Sequence, residues 1–181
     1  MRKLIVSEFM SLDGVVEAPM WTFPYWNDEI AEFKHHELFN VDALLLGRVT
    51  YEGFAEAWPS QTDQEGYADR MNSLPKYVAS TTIETAECNN SSVINGNLIE
   101  AVQQLKQEAG QDILVFGSGS LVSTLMEYEL VDEYRLQIYP LVLGKGQRLF
   151  EDKPDAKLEM VNRQAFNTGV VVLTYRPAEN N

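Results

Sequence analysis

The sequence is poor in cysteine and in cationic residues. Cys88 is the only cysteine among 181 residues, which excludes an internal disulfide framework and a cysteine-based zinc site. Lysine and arginine number 14 against 27 acidic residues, so the net charge is −13. Such a charge disfavours nucleic acid and anionic membranes as partners, because both are densely negative. A phosphate-bearing ligand must therefore be held by a local cation and by backbone N–H groups.

Long hydrophobic runs are also missing. No apolar stretch approaches the roughly 20 residues that a membrane-spanning helix needs. The short apolar segment near the start is interrupted by Ser7 and Glu8, too early for the core of a signal peptide. We therefore expect a cytoplasmic protein with no membrane partner. His35 and His36 show no acidic spacing that indicates a catalytic triad or a metal site, so no metal is expected.

Strand and helix patterns alternate along most of the chain. Strands are predicted at residues 3–9, 42–47, 76–80, 93–94, 112–116 and 133–138, with two more around 158–165 and 169–175. Helices are predicted at residues 28–40, 49–57, 97–110 and 118–127, and residues 61–72 as an exposed helix or loop. Alternating elements followed by paired strands predict an α/β fold with an open mixed sheet and helices on both faces. With no internal repeat or linker, residues 1–181 are expected to form a single domain.

Two junctions between a buried strand and a helix contain glycine. The first is Leu44-Leu45-Leu46-Gly47-Arg48-Val49-Thr50, and the second is Phe116-Gly117-Ser118-Gly119-Ser120-Leu121. The free N–H groups and the dipole at a helix N-terminus favour an anion, and Arg48 adds a planar charged fork. Two such junctions indicate an extended ligand with several phosphates, such as a dinucleotide. Alternatively, the Gly-Ser-Gly-Ser run is a plain helix cap and Arg48 a solvated charge.

Several motifs, in this order and spacing, resemble the dihydrofolate reductase superfamily. They are Ser11-Leu12-Asp13-Gly14, Leu46-Gly47-Arg48-Val49-Thr50-Tyr51-Glu52, Lys76-Tyr77-Val78-Ala79-Ser80, Phe116-Gly117-Ser118-Gly119-Ser120-Leu121, Leu130-Val131-Asp132-Glu133 and the segment from Pro140 to Phe150. Within it the chain is most similar to the reductase domain of bacterial riboflavin biosynthesis, the RibD C-terminal type. The resemblance covers nearly the whole chain. It implies a three-layer α/β/α fold, mostly parallel, with a C-terminal antiparallel strand pair.

The resemblance also implies NADPH as the cofactor. Gly47, Arg48 and Thr50 would hold cofactor phosphates at their helix start. Ser80 and Thr81 would share the adenosine 2′-phosphate with Arg48, and the pyrophosphate would lie on Gly117, Ser118, Gly119, Ser120 and Leu121. Folate reductases carry consecutive glycines and a cis peptide at this second junction. Here Ser118 takes the second position, which leaves the cis geometry open.

Glu29 and Asp13 are the candidates for catalysis. Alignment with the first helix of folate reductases places Glu29 nearest their pterin-protonating carboxylate, with Asp28 beside it. Alternatively, both acids only complement the helix dipole. Asp13 could bind the substrate or, with Gly14, simply form a turn. The candidates for walls of the substrate site, which could equally be core residues, are Trp26, Phe54 and Trp58.

The function that the resemblance implies is hydride transfer from NADPH to a small heterocyclic substrate, a pteridine or an aminopyrimidine. The alternative is an NADP(H)-binding module without turnover. A riboflavin-pathway substrate carries a ribose phosphate, yet few cations besides Lys145 and Arg148 are available for it, which favours a different substrate. Members of the family often pair, so a homodimer through residues 130–150 is expected.

Overall fold

The computed structural model describes residues 1–63, 65–151 and 155–178. The strands within them are β1 Leu4–Ser11, β2 Val41–Gly47, β3 Lys76–Ala79, β4 Ser91–Ile94, β5 Asp112–Phe116, β6 Glu133–Tyr139, β7 Leu158–Ala165 and β8 Val171–Pro177. The helices are α1 Asp28–Phe39, α2 Arg48–Ala57, α3 Tyr67–Ser73, α4 Leu98–Gln107 and α5 Gly119–Glu127, with a 3₁₀ helix at Pro19–Tyr25.

All eight strands form one mixed sheet in the order β4-β3-β2-β5-β1-β6-β8-β7. Strands β1 to β6 run parallel to one another, whereas β8 is antiparallel to β6 and to β7. This arrangement confirms the predicted mixed sheet with an antiparallel C-terminal pair. Because the parallel strands share one direction, the carboxyl ends of β1, β2, β3 and β5 meet at one edge of the sheet.

Helices cover both faces of this sheet, as predicted. Strand β2 shows why: Ala43 and Leu45 belong to a core with α4 and α5, and Leu44 and Leu46 to a second core with α1, α2 and α3. A strand buried on both faces needs apolar residues at every position, which explains the continuous run at its centre. The fold is therefore the three-layer α/β/α arrangement.

The boundaries differ from the prediction where side chains bind the backbone. Strand β3 ends at Ala79 because the Ser80 hydroxyl accepts hydrogen bonds from the N–H groups of Thr82 and Ile83 and turns the chain. Helix α3 forms at the end of the polar segment that the sequence predicts as an exposed helix or loop, and its Ala68 and Met71 are buried. No helix in the described ranges is both long and apolar enough to cross a bilayer.

Candidate active site

The two glycine junctions lie side by side. Strands β2 and β5 are neighbours in the sheet, so the first turns of α2 and α5 start together at its carboxyl edge. The Gly47 N–H donates a hydrogen bond to Ser118 Oγ at 2.9 Å. Ser118 Oγ also lies 2.9 Å from Thr50 Oγ1. The junctions that the sequence presents as two separate features therefore form one surface.

This close approach explains both glycines. A Cβ at Gly47 would lie 2.7 Å from Ser118 Oγ, and one at Gly117 would lie 2.9 Å from Thr50 Oγ1. Gly117 and Ser118 both have left-handed backbone conformations, with φ of 54° and 69°. The peptide bonds of the described residues are all trans, including the bond between Gly117 and Ser118. The chain thus makes this turn with two left-handed residues.

The first turns of α2 and α5 carry no side-chain caps. Helices α1 and α4 are capped by Asn27 and Asn97, whose side chains accept hydrogen bonds from N–H groups of the first turn. In contrast, Gly47 has no side chain to cap α2, and the Ser118 hydroxyl binds Gly47 instead of the start of α5. Neither first turn contains an acidic residue. Two adjacent helix starts with available N–H groups fit the phosphates of a dinucleotide.

Arg48 is the cation at this surface. It is the first residue of α2, and 46% of its side chain is exposed. Its guanidinium Nη1 lies 3.0 Å from the Glu52 carboxylate one turn later. An exposed pair of this kind contributes little stability, on the order of 0.3–0.5 kcal/mol. A phosphate dianion can therefore replace Glu52 as the partner of Arg48.

Ser80 and Thr81 line a hollow beside the junctions. It has a volume of about 440 Å³ and lies at the carboxyl ends of β3 and β4, and the rest of its wall consists of Ile83, Glu84, Ile94, Asn95 and Gly96. The Ser80 hydroxyl already accepts two backbone N–H groups, whereas Thr81 is exposed. This places both predicted residues on the same edge of the sheet as Arg48.

Asp13 holds two loops together. Its carboxylate accepts hydrogen bonds from Ser11 Oγ at 2.7 Å, from the Gly144 N–H at 2.8 Å and from the Leu143 N–H at 3.1 Å. These bonds, the one from Ser11 foremost, lower the pKa of Asp13 to about 2. Arg148 Nε donates to the Asp13 carbonyl oxygen, which adds a further link to the same loop. The structure thus gives the Asp13 carboxylate a structural task.

Glu29 is engaged in a similar way. One of its carboxylate oxygens lies 3.0 Å from Asn27 Nδ2 and accepts the Asn167 N–H at 2.8 Å. Asn167 belongs to the turn between β7 and β8, so Glu29 fastens the start of α1 to this turn. A role of Glu29 in proton transfer remains a prediction.

The structure contains a buried charged cluster around Lys34 and Glu37 that was not predicted from the sequence. The Lys34 ammonium lies 2.5 Å from Glu37 Oε2 and 3.2 Å from Ser7 Oγ, and Arg135 Nη1 lies 3.5 Å from Glu37 Oε1. Lys34 and Glu37 are 4% and 1% exposed. Burial lowers the pKa of Lys34, and the Glu37 carboxylate opposes that effect. A signal was available, because Lys34 is four residues from both Ile30 and Leu38 on the buried stripe of α1.

Five aromatic rings form a row on the two sides of the Lys34 ammonium. Their order is Trp26, Phe9, Phe116, Phe54, Trp58. The Lys34 ammonium lies between the second and third rings, 5.2 Å from the centre of Phe9 and 4.1 Å from that of Phe116. The Trp26–Phe9 and Phe116–Phe54 centres are 6.3 and 6.0 Å apart, and Phe54 lies 6.3 Å from Trp58. The structure therefore links the three predicted substrate-site residues through rings at the ends of β1 and β5.

Comparisons with known proteins agree with this fold. The model of the RibD C-terminal domain family matches residues 2–172. The uncharacterized protein YyaP of Bacillus subtilis (strain 168) is 34% identical over 182 aligned residues, covering 96% of this chain and 94% of that protein. A putative riboflavin biosynthesis protein from Shewanella sp. PV-4 has a TM-score of 0.76 at 18% identity, covering 98% of this chain and 99% of that one. Dihydrofolate reductase from Enterococcus faecalis, solved with NADP(H), has a TM-score of 0.64 at 14% identity, covering 98% and 97%.

Proposed function

The chain belongs to the RibD C-terminal domain family, and from this premise we propose that it is a cytoplasmic NADPH-dependent reductase. It would transfer hydride to a small heterocyclic substrate of the pteridine or aminopyrimidine type. The observation that carries this proposal is the pair of uncapped helix starts, α2 and α5, joined at Gly47 and Ser118. The names of the structural neighbours, which refer to riboflavin biosynthesis and to dihydrofolate reductase, support the substrate type.

Each part of the cofactor would meet a different part of this edge. The pyrophosphate would accept hydrogen bonds from N–H groups of residues 117–121 and of the first turn of α2. The Arg48 guanidinium would bind the 2′-phosphate beside Ser80 and Thr81, displacing Glu52. The bound cofactor supplies the hydride, and the protein supplies orientation and a site that excludes water.

The substrate ring would lie against the aromatic row. Planar heterocycles bind well to aromatic surfaces that carry a few placed polar groups. The Lys34–Glu37–Ser7 cluster lies beside the rings of Phe9 and Phe116. It places the buried Lys34–Glu37 pair next to the proposed ring site.

A turnover screen tests the proposal. The protein is mixed with NADPH and either 7,8-dihydrofolate or 5-amino-6-(5-phosphoribosylamino)uracil, and the loss of the reduced cofactor's absorbance is followed. Oxidation that depends on a heterocycle supports a reductase. Failure with both compounds, and with other pteridines and aminopyrimidines, would contradict it.

The second candidate function is an NADP(H)-binding module without turnover. It is favoured by the engagement of both predicted catalytic carboxylates, Asp13 and Glu29, in backbone hydrogen bonds. Tight NADPH binding in a titration, with no oxidation in the screen, would favour this module over the enzyme.

A further inference from the structure

Gln137 of β6 carries a buried amide with no hydrogen-bond partner. Its side chain is fully buried, at 0% exposure. Neither Nε2 nor Oε1 has a partner within the described part of the chain. Each polar group left unpaired in an interior costs about 1–3 kcal/mol, so native proteins rarely keep one without a reason.

The amide lies in the layer between the sheet and α1. In the register of the sheet, Gln137 is opposite Phe9 of β1 and Val172 of β8. Both neighbours belong to the apolar cluster that also contains Ile30 of α1 and Tyr139. Phe9 is the ring that lies between Trp26 and the Lys34 ammonium. The unpaired amide is therefore beside the aromatic row to which we assign the substrate ring.

The 3₁₀ helix Pro19–Tyr25 packs over this layer. Its Trp21 and Tyr25 rings meet the Tyr139 ring edge-on, with centres 5.5 and 5.6 Å away. The Tyr139 hydroxyl beneath them is also buried without a partner among the described residues.

Hydrogen bonds do not fix this helix to the rest of the protein. Those of residues 18–26 stay within or next to the segment, such as Met20 N–H to the Ala18 carbonyl and Trp21 Nε1 to the Glu17 carbonyl. Across the described ranges, none joins residues 18–26 to another element. Among the described residues, no hydrogen bond to another element therefore has to break for the helix to move away from Tyr139.

We propose that the Gln137 amide recognises a cyclic amide edge of the substrate ring once this helix moves aside. The inference rests on the proposed function and names the substrate class of the same site. A glutamine amide presents an NH2 donor group beside a carbonyl acceptor, and a ring edge with adjacent N–H and C=O groups offers the complementary pair. Such a ring satisfies both orphaned atoms of Gln137. A ring edge that carries acceptors only pairs with Nε2 but leaves Oε1 unpaired in a dry site and is rejected.

The test uses two pteridines that differ at this edge. Lumazine carries ring N–H groups next to its carbonyls, whereas 1,3-dimethyllumazine has the same ring with both N–H groups replaced by N-methyl. NADPH is titrated first, and each lumazine is then titrated into the NADPH-saturated protein by fluorescence. We expect lumazine to bind more tightly than its dimethyl derivative by roughly tenfold or more, since a loss of about 1.4 kcal/mol is tenfold in Kd.

The matched variants are Gln137→Met and Gln164→Met. Gln164 of β7 is opposite Val172 on the side away from β6, and its side chain is exposed. We expect Gln137→Met to bring the two lumazine affinities to within about twofold while NADPH affinity is unchanged. Because the variant removes an unpaired buried amide, it should keep or raise the Tm. Gln164→Met should alter neither the ratio nor the Tm.

Three results would overturn the inference while NADPH binding is intact. They are equal binding of both lumazines by the wild type, undetectable binding of both by the wild type, and an unchanged ratio in Gln137→Met. The comparison of the two lumazines on the wild type needs no variant, so a poorly folding Gln137→Met does not remove the test. Absence of NADPH binding would overturn the proposed function as well.

Discussion

Glu8 shows how a single residue can set part of the protein's response to pH. It is 2% exposed, and alternation along β1 places it on the face of Leu4 and Val6, which pack with α4 and α5. Burial raises the pKa of Glu8 to about 8, and Lys34 only partly opposes it. The folded protein therefore keeps a proton on Glu8 at neutral pH.

Stability should consequently fall as the pH rises through the range where the unfolded chain ionises Glu8 and the folded protein keeps its proton. The carboxyl contributes fully below its unfolded pKa of 4.5, and the contribution is lost as pH rises towards about 8. Relative to the wild type, the free energy of unfolding of Glu8→Gln should rise across this window by up to about 5 kcal/mol. Urea unfolding at several pH values measures the difference, with the exposed Glu127→Gln as control. A difference that does not change with pH would show that Glu8 is ionised throughout.

Asp13 gives the opposite pH dependence. Hydrogen bonds from Ser11, Leu143 and Gly144 lower its pKa to about 2, so its contribution is present above the unfolded pKa of 3.8 and lost as pH falls to about 2. We expect Asp13→Asn to lower the Tm near neutrality, with the two melting curves converging in acid. The exposed Glu56→Gln should follow the wild type throughout. If the difference in Tm between Asp13→Asn and the wild type persists near pH 2, the carboxylate charge is not what holds the loop.

Residues differ in how well the sequence predicts their roles. Gly47 and Arg48 were predicted because the signal is local, a buried strand followed at once by a helix. The spacing of Lys34 on α1 indicates its burial, but its partner Ser7 is distant in the chain, as are Phe9 and Val172, which surround Gln137. For Glu29, the helix was placed well, but the bond to Asn167 depends on a turn almost 140 residues later.

At the scale of elements, a side chain added at Gly47 tests the contact between the starts of α2 and α5. Gly47 has φ of −75°, so alanine suits its backbone, but the added Cβ would meet Ser118 at 2.7 Å. We expect Gly47→Ala to cost about 1–3 kcal/mol in urea unfolding. Ser118→Gly in the same chain should restore most of this loss, which a double-mutant cycle detects.

Gly53→Ala is the control within the same helix. An added Cβ at Gly53 meets nothing within 4 Å. Because glycine disfavours helix interiors, this variant should gain about 0.5–1 kcal/mol. If Gly47→Ala behaves like Gly53→Ala, the two junctions are not packed as described.

Elements with strong periodicity were predicted closely. The bounds of α1 and β5 agree with the sequence to within a residue, because caps and apolar runs mark them. The 3₁₀ helix lies in a segment that the sequence presents as irregular, since its two prolines and aromatic side chains follow no helical period. Its packing on Tyr139 needs the assembled sheet and could not be inferred locally.

At the scale of the whole molecule, the order of the strands bears on the expected dimer. Strand β6 is paired on both edges, with β1 and β8, so its backbone offers no free edge to a second chain. Within residues 130–150, Val142 and Phe150 remain exposed, at 68% and 39%.

We propose a homodimer that uses the exposed loop around Val142 and Phe150 instead of strand pairing. Light scattering should then give twice the chain mass of 20.5 kDa, reduced towards one chain in Val142→Glu. An exposed valine in another region, Val49 of α2, supplies the control Val49→Glu. A single-chain mass for the wild type at high concentration would contradict the dimer.

The net charge of −13 opposes binding of the proposed cofactor, because NADPH is a polyanion and the protein is acidic. Cofactor binding therefore depends on the joined starts of α2 and α5 and on Arg48. Loss of Arg48 should therefore affect NADPH far more than NADH, which lacks the 2′-phosphate.

The most direct measurement is a calorimetric titration of NADPH and NADH into the wild type, Arg48→Ala and Arg163→Ala, where Arg163 is an exposed cation of β7. We expect NADPH to bind the wild type more tightly than NADH, and Arg48→Ala to weaken NADPH by roughly tenfold or more, as loss of a charged hydrogen bond of about 1.5–3 kcal/mol implies. Arg163→Ala should leave both affinities unchanged. Failure of the wild type to bind either nucleotide, or equal NADPH affinity in Arg48→Ala, would contradict the assignment of this edge to the cofactor.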